Sequence, residues 1–368
     1  MVSPVVVIGG GLAGAAVATR LARTGQAVTV IEREAGPHEK VCGEFLSVEG
    51  CQDLAGLGLP PEHLGAVAID RVRVLHRRHA VEAKLPFVAR GLSRAIMDEA
   101  LLDMARKAGA EVLRGVRVTG LQGTRVLTSA GEYEASHVML ATGKHDLRAM
   151  PRAAPATRDG YVGFKMHWRL SPRALDALGS AIELVLFGQG YAGLQRVGTR
   201  EANLCLVVRR QHFAELGGTW DALLARLMDE PGLASRLGDA QPLMARPLAI
   251  ANLPYGHMHR PSGDEGAVWR LGDQAAMTAS LSGDGMAVAL RSATLAADLF
   301  TRGATTAQFH RLLAAQVGPQ VRRAMRLQRL SEHPLALALG MQAARACPRL
   351  LTLGARATRL PAYEATKA

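Results

Sequence analysis

The chain has 368 residues, 48% of them hydrophobic and 21% charged, with a formal net charge of +12. This balance excludes a disordered or low-complexity polypeptide, and the length exceeds one compact core, so two lobes sharing an interface are expected. The four cysteines, Cys42, Cys51, Cys205 and Cys347, show neither Cys-x-x-Cys pairs nor zinc-like spacing; with no secretory leader, free thiols in a reducing cytoplasm are expected.

In chain order, Val5-Val-Val-Ile8 predicts a buried strand. It leads into Gly9-x-Gly11-x-x-Gly14, a helical run, the strand Val28-Thr-Val-Ile31 and the acidic Glu32. The three glycines at this spacing serve different ends. The first permits the tight turn, the second lets the backbone approach a pyrophosphate, and the third lets the helix pack closely on the strand. The helix start at Leu12 and Ala13 offers free N–H groups and a positive dipole end to phosphate. Glu32 is placed to accept hydrogen bonds from ribose hydroxyls. A dinucleotide site is therefore expected here.

A long connection follows, holding Lys40-Val-Cys42-Gly43-Glu44-Phe45-Leu46-Ser47. Alternation over 70–76 and 80–85 predicts a hairpin. Ser93 reads as the N-cap of a helix through Lys107, ended by Gly109. Ser136–Leu140 predicts a buried strand running into Ala141-Thr142-Gly143, small enough for a second close approach to the dinucleotide. From 159 to 208 the pattern turns to β, including Tyr161–Trp168 and Glu183–Phe187, and helical stretches follow over 211–238. Ala267–Leu271 predicts a strand leading to Gly272-Asp273, with a helix beginning near Gly283. Residues 304–359 read as helical, punctuated by Pro334, Pro348 and Pro361.

The expected class is α/β: a Rossmann-like nucleotide domain with an inserted, mostly antiparallel β substrate domain and C-terminal helices. The expected boundaries are 1–70, 90–158 and 267–303 for the nucleotide domain, 71–89 and 159–266 for the substrate domain, and 304–368 for the helical region.

The segment Gly272-Asp273-Gln274-Ala275-Ala276 followed by Gly283-Asp284-Gly285-Met286 resembles the Gly-Asp…Gly-x-Gly segment of FAD-dependent oxidoreductases with the para-hydroxybenzoate hydroxylase fold. The geranylgeranyl reductase branch is most similar, through its Cys-Gly-Gly-Gly-Leu-Ser loop (here Cys42–Ser47) and its Gly-Tyr-x-Trp strand (here Gly190-Tyr191-Ala192-Gly193). The resemblance implies FAD. Gly9, Gly11, Leu12, Ala13 and Gly14 would meet the pyrophosphate, Glu32 the ribose, Arg33 and Val118 the adenine side, and Asp273, beside Gly272, the ribityl hydroxyls. Arg94, Lys40, Cys42, Gly43, Ala141, Thr142 and Gly143 would surround the cofactor. The helix starting at Gly283, Asp284, Gly285 and Met286 would aim its N-terminus at the flavin N1/O2 edge, where reduced flavin carries negative charge.

The sequence departs from that family: Ser280 replaces a proline, Asp284 a glutamate, and Gly193 the tryptophan. No second glycine fingerprint for a nicotinamide is visible, so electrons would come from transiently bound NAD(P)H or from a partner reductase. Two chemistries stay open. Oxygen insertion into a small apolar or carrier-bound metabolite, a monooxygenase reaction, is placed first, and reduction of a carbon–carbon double bond second. A protein that merely holds flavin is a third reading. A halogenase is less expected, since no Trp-x-Trp-x-Ile-Pro segment occurs.

Phe164, Met166, Tyr191 and Gln195 are the expected substrate contacts, on strands facing the flavin. No catalytic residue is assigned and no metal site is expected: His257-x-His259 lacks a third ligand, and His167 reads as a strand residue. No nucleic-acid motif or membrane-spanning stretch is visible. The run Arg322, Arg323, Arg326 and Arg329, and the leucine-rich 335–339 and 350–353, read either as ordinary helix faces or as a peripheral contact with an anionic membrane or carrier.

Overall fold

The computed structural model describes residues 5–152, 160–261 and 266–363. The first stretch holds β1 (Val5–Ile8), α1 (Leu12–Arg23), β2 (Val28–Glu32), β3 (Phe45–Leu46), α2 (Val48–Leu57), β4 (Val67–His76), β5 (His79–Gly91), α3 (Arg94–Lys107), β6 (Glu111–Arg114), β7 (Val118–Gln122), β8 (Arg125–Thr128), β9 (Gly131–Glu134) and β10 (His137–Leu140). The second holds β11 (Tyr161–Arg169), α4 (Pro172–Leu178), β12 (Ala181–Leu186), β13 (Gly190–Arg196), β14 (Glu201–Arg209), α5 (Arg210–Glu215), α6 (Trp220–Met228), α7 (Pro231–Leu237), β15 (Gln241–Pro242) and β16 (Leu248–Ala251). The third holds β17 (Val268–Arg270), α8 (Gly285–Thr301), α9 (Thr306–Glu332), α10 (Pro334–Ala346) and α11 (Arg349–Ala357).

Five strands form a parallel sheet in the order β17-β10-β1-β2-β6. β1 is apolar at every position because both faces of this sheet are covered, as parallel sheets require. Val5 and Val7 face a core built with α1, α3 and α8, while Val6 and Ile8 face the small sheet β7–β8–β9 through Val126. α1 carries Ala13, Ala15, Ala16 and Ala18 on its buried surface, so it lies close to the strands. Ser93 caps α3 by accepting a hydrogen bond from the Ala95 N–H at 3.1 Å, and the helix ends before Gly109.

The second sheet has nine strands in the order β15-β11-β14-β13-β12-β4-β5-β3, with β16 paired to β11. Its ladders are antiparallel except for β12 with β4. One face packs on α4, α6 and α7, and the other turns toward α10, α11 and the parallel sheet. The hairpin runs longer than the alternation suggested, over 67–91, and 211–238 divides into three short helices. The residue 158/159 domain boundary lies outside the described residues. Pro334 opens α10 at its first helical position and Pro348 caps α11, the places where a missing N–H costs nothing. α8 begins at Gly285, two residues after Gly283, which adopts a left-handed φ of +72°.

Candidate cofactor and substrate site

Where the two large sheets meet, a cavity of about 600 Å³ opens along the C-terminal ends of β1, β10 and β17. This is the crevice at which open α/β sheets bind ligands. Its floor is the β1–α1 turn. A Cβ on Gly9 would lie 2.6 Å from the Ala141 carbonyl oxygen, and one on Gly14 would lie 1.8 Å from the Gly9 carbonyl oxygen. These two glycines let strand, turn and helix touch. Gly11 is different, for a Cβ there would first meet Lys40 Nζ at 3.3 Å and an Arg94 nitrogen at 3.6 Å. The uncapped start of α1 thus sits between two cations, an arrangement suited to a pyrophosphate.

Both cations are anchored. Lys40 Nζ donates to Asp98 Oδ2 at 2.8 Å, and Arg94 donates to both Asp98 oxygens at 2.9 Å. Burial pushes the Asp98 carboxyl up, but Arg94 and Lys40 outweigh it and hold it below the ordinary value. Two cations against one anion leave a positive excess beside the helix start. Glu32, at the end of β2, accepts from the Gly10 N–H at 2.7 Å and from the Glu34 N–H at 3.0 Å. Each oxygen keeps a lone pair for a ribose hydroxyl.

The other two loops are tied to each other. Gln274 donates to the carbonyls of Gly143 at 2.8 Å and His145 at 3.1 Å, and Arg152 donates to those of Lys144 at 2.7 Å and Asp273 at 3.2 Å. Nothing lies within 4 Å of a Cβ built on Gly43, Gly143 or Gly285. Three loops therefore present bare backbone, at the cavity, to a flat or extended group. The residues present fit FAD: the start of α1 with Lys40 and Arg94 for the pyrophosphate, Glu32 for the ribose, and Asp273 with the start of α8 for the other half.

Of the residues expected from sequence, the cavity is lined by Gly9, Gly11, Leu12, Ala13, Glu32, Arg33, Lys40, Cys42, Gly43, Arg94, Val118, Ala141, Thr142, Gly143, Gly272, Asp273, Gly283, Gly285 and Met286. Two are not among them. Gly14 is filled in against Gly9. Asp284 turns its fully buried carboxylate away, toward Arg359 at 2.7 Å and Gln320 at 2.8 Å.

The expected substrate contacts need correction. Phe164 and Met166 lie on the far face of the nine-stranded sheet, and Phe164 packs against Phe213 and Trp220 at 5.1 and 5.7 Å between ring centroids. Side chains alternate along a strand, so the near face of β11 carries Gly163, Lys165 and His167 instead. Tyr191 and Gln195 do share that near face, in register with Val207 and Asn203 of β14, but they lie behind the lining. Tyr191 reaches the cavity through Ser280: its hydroxyl donates to Ser280 Oγ at 2.5 Å, and that of Tyr255 does so at 2.9 Å. Ser280 and Tyr255 line the cavity. Burial pushes both phenols above their ordinary value, so they remain neutral donors.

A buried ionic cluster was missed from sequence. Glu44 has no solvent exposure and a left-handed φ of +58°. Its carboxylate accepts from Lys165 Nζ at 2.5 Å and from the Arg94 N–H at 2.7 Å, and lies 2.7 Å from His167 Nε2. Lys165 also bonds Glu39. Burial pushes the Glu44 carboxyl up, but His167 and Lys165 together bring it below the ordinary value. Asn203 donates to the Cys42 carbonyl at 2.9 Å, fixing the same loop. Glu39, Glu44 and His167 hold their donor atoms within 4.8 Å of one another. Lys165, bonded to both carboxylates, already neutralises that position, so the cluster reads as an ion-pair anchor. The left-handed, fully buried acid at 44 is visible only once the loop is folded.

Residues 7–38 match the NAD(P)-binding Rossmann-like domain family. The chain is 27% identical over 325 residues to the menaquinone reductase of Mycolicibacterium smegmatis, covering 82% of this chain and 77% of that protein. It is also 27% identical over 368 residues to the menaquinone reductase of Mycobacterium tuberculosis, covering 90% and 84%. Among solved structures, the flavin-dependent brominase Bmp2 superposes with a TM-score of 0.78 at 19% identity, over 97% of this chain and 93% of that one. A flavoprotein/dehydrogenase from Cytophaga hutchinsonii gives 0.75 at 19% identity, over 89% and 86%. The fold is thus that of FAD-binding flavoenzymes, with the parallel sheet, the antiparallel sheet and the C-terminal helices in the expected arrangement.

Proposed function

We propose that the chain is an FAD-dependent reductase that saturates a carbon–carbon double bond of an apolar, quinone- or isoprenoid-like substrate. The observation that carries this reading is the hydroxyl triad Tyr191–Ser280–Tyr255 on a cavity wall otherwise built from Val207, Leu248, Ile250, Leu253 and Met277. Adding hydrogen across a double bond needs a hydride on one carbon and a proton on the other. FAD, when bound, supplies the hydride. Ser280 accepts both phenols on its two lone pairs, which leaves its own proton for a third partner, and the cavity is where that partner would sit. Oxygen insertion, placed first from sequence, also consumes protons as the second oxygen atom leaves as water, so the triad serves either reaction. The relatives named menaquinone reductase support the reversed order.

The other residues bind and orient. Lys40, Arg94 and the start of α1 would hold the pyrophosphate, and Glu32 the ribose. The Glu44–Lys165–His167 cluster would fix the Cys42-Gly43 loop against the substrate side. Cys205, pushed up to about 12 by burial, stays a neutral thiol and adds apolar wall. The electron source, NAD(P)H or a separate reductase, belongs to the same proposal.

Anaerobic turnover of the FAD-loaded protein with a chemical reductant and menaquinone tests this reading. A product whose isoprenoid side chain has gained two hydrogens, measured after the quinone ring is reoxidised in air, is expected. Ser280→Ala should lower turnover by about a hundredfold, in the range of a lost general acid, with flavin content unchanged. A product that gains one oxygen atom, with matching oxygen uptake in air, would instead establish the oxygenase.

A further inference from the structure

The C-terminal helices carry large apolar side chains in the open. Leu335 and Leu339 of α10 are 72% and 66% exposed, Leu353 of α11 is 59% exposed, and Leu330 near the end of α9 is 57% exposed. They are not left over from packing. The opposite stripe of α10 (Leu337, Met341, Ala344) and that of α11 (Leu351, Ala355) are already seated in the core over β5. Leu335 and Leu339 are one helical turn apart, so both helices present apolar side chains on two sides, only one of which has a partner among the described residues.

The charges around these leucines have one sign. Residues 322–359 contain eight arginines and a single carboxylate, Glu332. That glutamate is buried, accepting hydrogen bonds from Tyr161 and Arg209. Arg349 and Arg356 are exposed one turn either side of Leu353, and Arg326, Arg329 and Arg345 are exposed beside the other leucines. A polypeptide partner would have to be strongly acidic, and a second copy would bring the same positive field against it. No helix among the described residues is long and apolar enough to cross a membrane, and α10 and α11 are short helices lying along the surface.

We propose that the outer face of α10 and α11, with the last turns of α9, docks on an anionic bilayer. The leucines enter the headgroup boundary and the arginines meet lipid phosphates. This goes beyond the proposed chemistry and stands without it. It also has a spatial consequence: the core beneath α10 continues through Tyr255, Leu253 and Met277 to the cavity wall. The docked face therefore lies over the apolar end of the cavity.

Vesicle sedimentation tests the proposal, using phosphatidylcholine alone against phosphatidylcholine mixed with phosphatidylglycerol. The full chain should sediment with the mixed vesicles only, and release as salt shortens the Debye length below about 8 Å. The pair Leu339→Glu and Leu353→Glu should reduce binding by about tenfold or more, reflecting two leucines no longer buried in lipid. The pair Arg349→Gln and Arg356→Gln should cost about fivefold per arginine, the equivalent of about 1 kcal/mol for each surface cation. Melting temperature and flavin content serve as controls, because all four side chains are exposed. Equal sedimentation with both vesicle types would overturn the proposal, as would glutamate variants that bind like the parent. A dimer that Leu339→Glu converts to monomer, without vesicle binding, would assign the face to a second copy instead.

Discussion

Glu44 holds a backbone conformation that costs a non-glycine residue about 1–2 kcal/mol, with a carboxylate removed from water. Lys165 and His167 supply the compensation. Replacing Lys165 by Met strands a buried charge and should destabilise the fold by about 3–5 kcal/mol, read from the urea midpoint. Adding Glu44→Gly to that variant should restore much of the loss, because it removes both the orphan charge and the strain. The pH dependence has a sign. Glu44 titrates below its ordinary value, so its contribution is complete above about 4.5 and is lost as pH falls through the folded-state value. The deficit of Lys165→Met relative to the parent should therefore be greatest above about 4.5 and shrink on acidification, as the stranded carboxylate takes up a proton. Asp284 behaves oppositely. Burial pushes it up to about 7 against the pull of Arg359, so its contribution is complete below the ordinary 3.8 and disappears as pH rises through about 7. Relative to Asp284→Asn, the parent's melting temperature should decline between those two pH values. Parallel melting curves would refute this assignment.

At the scale of elements, the β1–α1 turn separates two kinds of glycine that one motif makes look alike. Gly14→Ala drives a methyl group into the Gly9 carbonyl and should disrupt the packing of α1, lowering the melting temperature with or without FAD. Gly11→Ala meets the ends of Lys40, Arg94 and Asp98, none closer than 3.3 Å, so the apoprotein should melt normally while the purified sample loses its yellow colour. A yellow Gly11→Ala protein would remove the pyrophosphate from this turn. Such features were legible because the turn's chemistry is local: strand, glycine spacing, helix and acid lie within 32 residues. β11 was legible as a strand but not in its facing. Phe164 and Met166 read as pocket residues, and His167 as a strand residue with no partner named. Both faces of β11 are in fact buried, and the charged one is satisfied by Glu39 and Glu44 from a loop more than a hundred residues earlier. Alternation gives the period of a strand, but only the partner gives its direction. The Tyr191–Ser280–Tyr255 triad was hidden for the same reason, since its members are far apart in sequence.

In the molecule as a whole, the cavity is walled by both large sheets, with Ala141 and Asp273 from one side and Val207 and Ile250 from the other. A ligand that fills it links the core around β1 and α1 with the one that holds Val207 and Leu253. Calorimetry should show two overlapping transitions for the apoprotein and one, at higher temperature, with FAD. Saturation at a hundred times the dissociation constant should add about 2.7 kcal/mol. Unchanged separate transitions would mean that the cofactor touches only the parallel-sheet lobe.

Arg359 pairs with Asp284 and also donates to the Ser282 carbonyl, bracing the turn that introduces α8. During synthesis on the ribosome, that brace emerges about seventy-five residues after the turn it supports, and later still after the glycine floor. Until then a nascent chain would have half a berth, able to engage the adenosine end but not to clasp the flavin end. Full retention of the cofactor would begin only when Arg359 swings home.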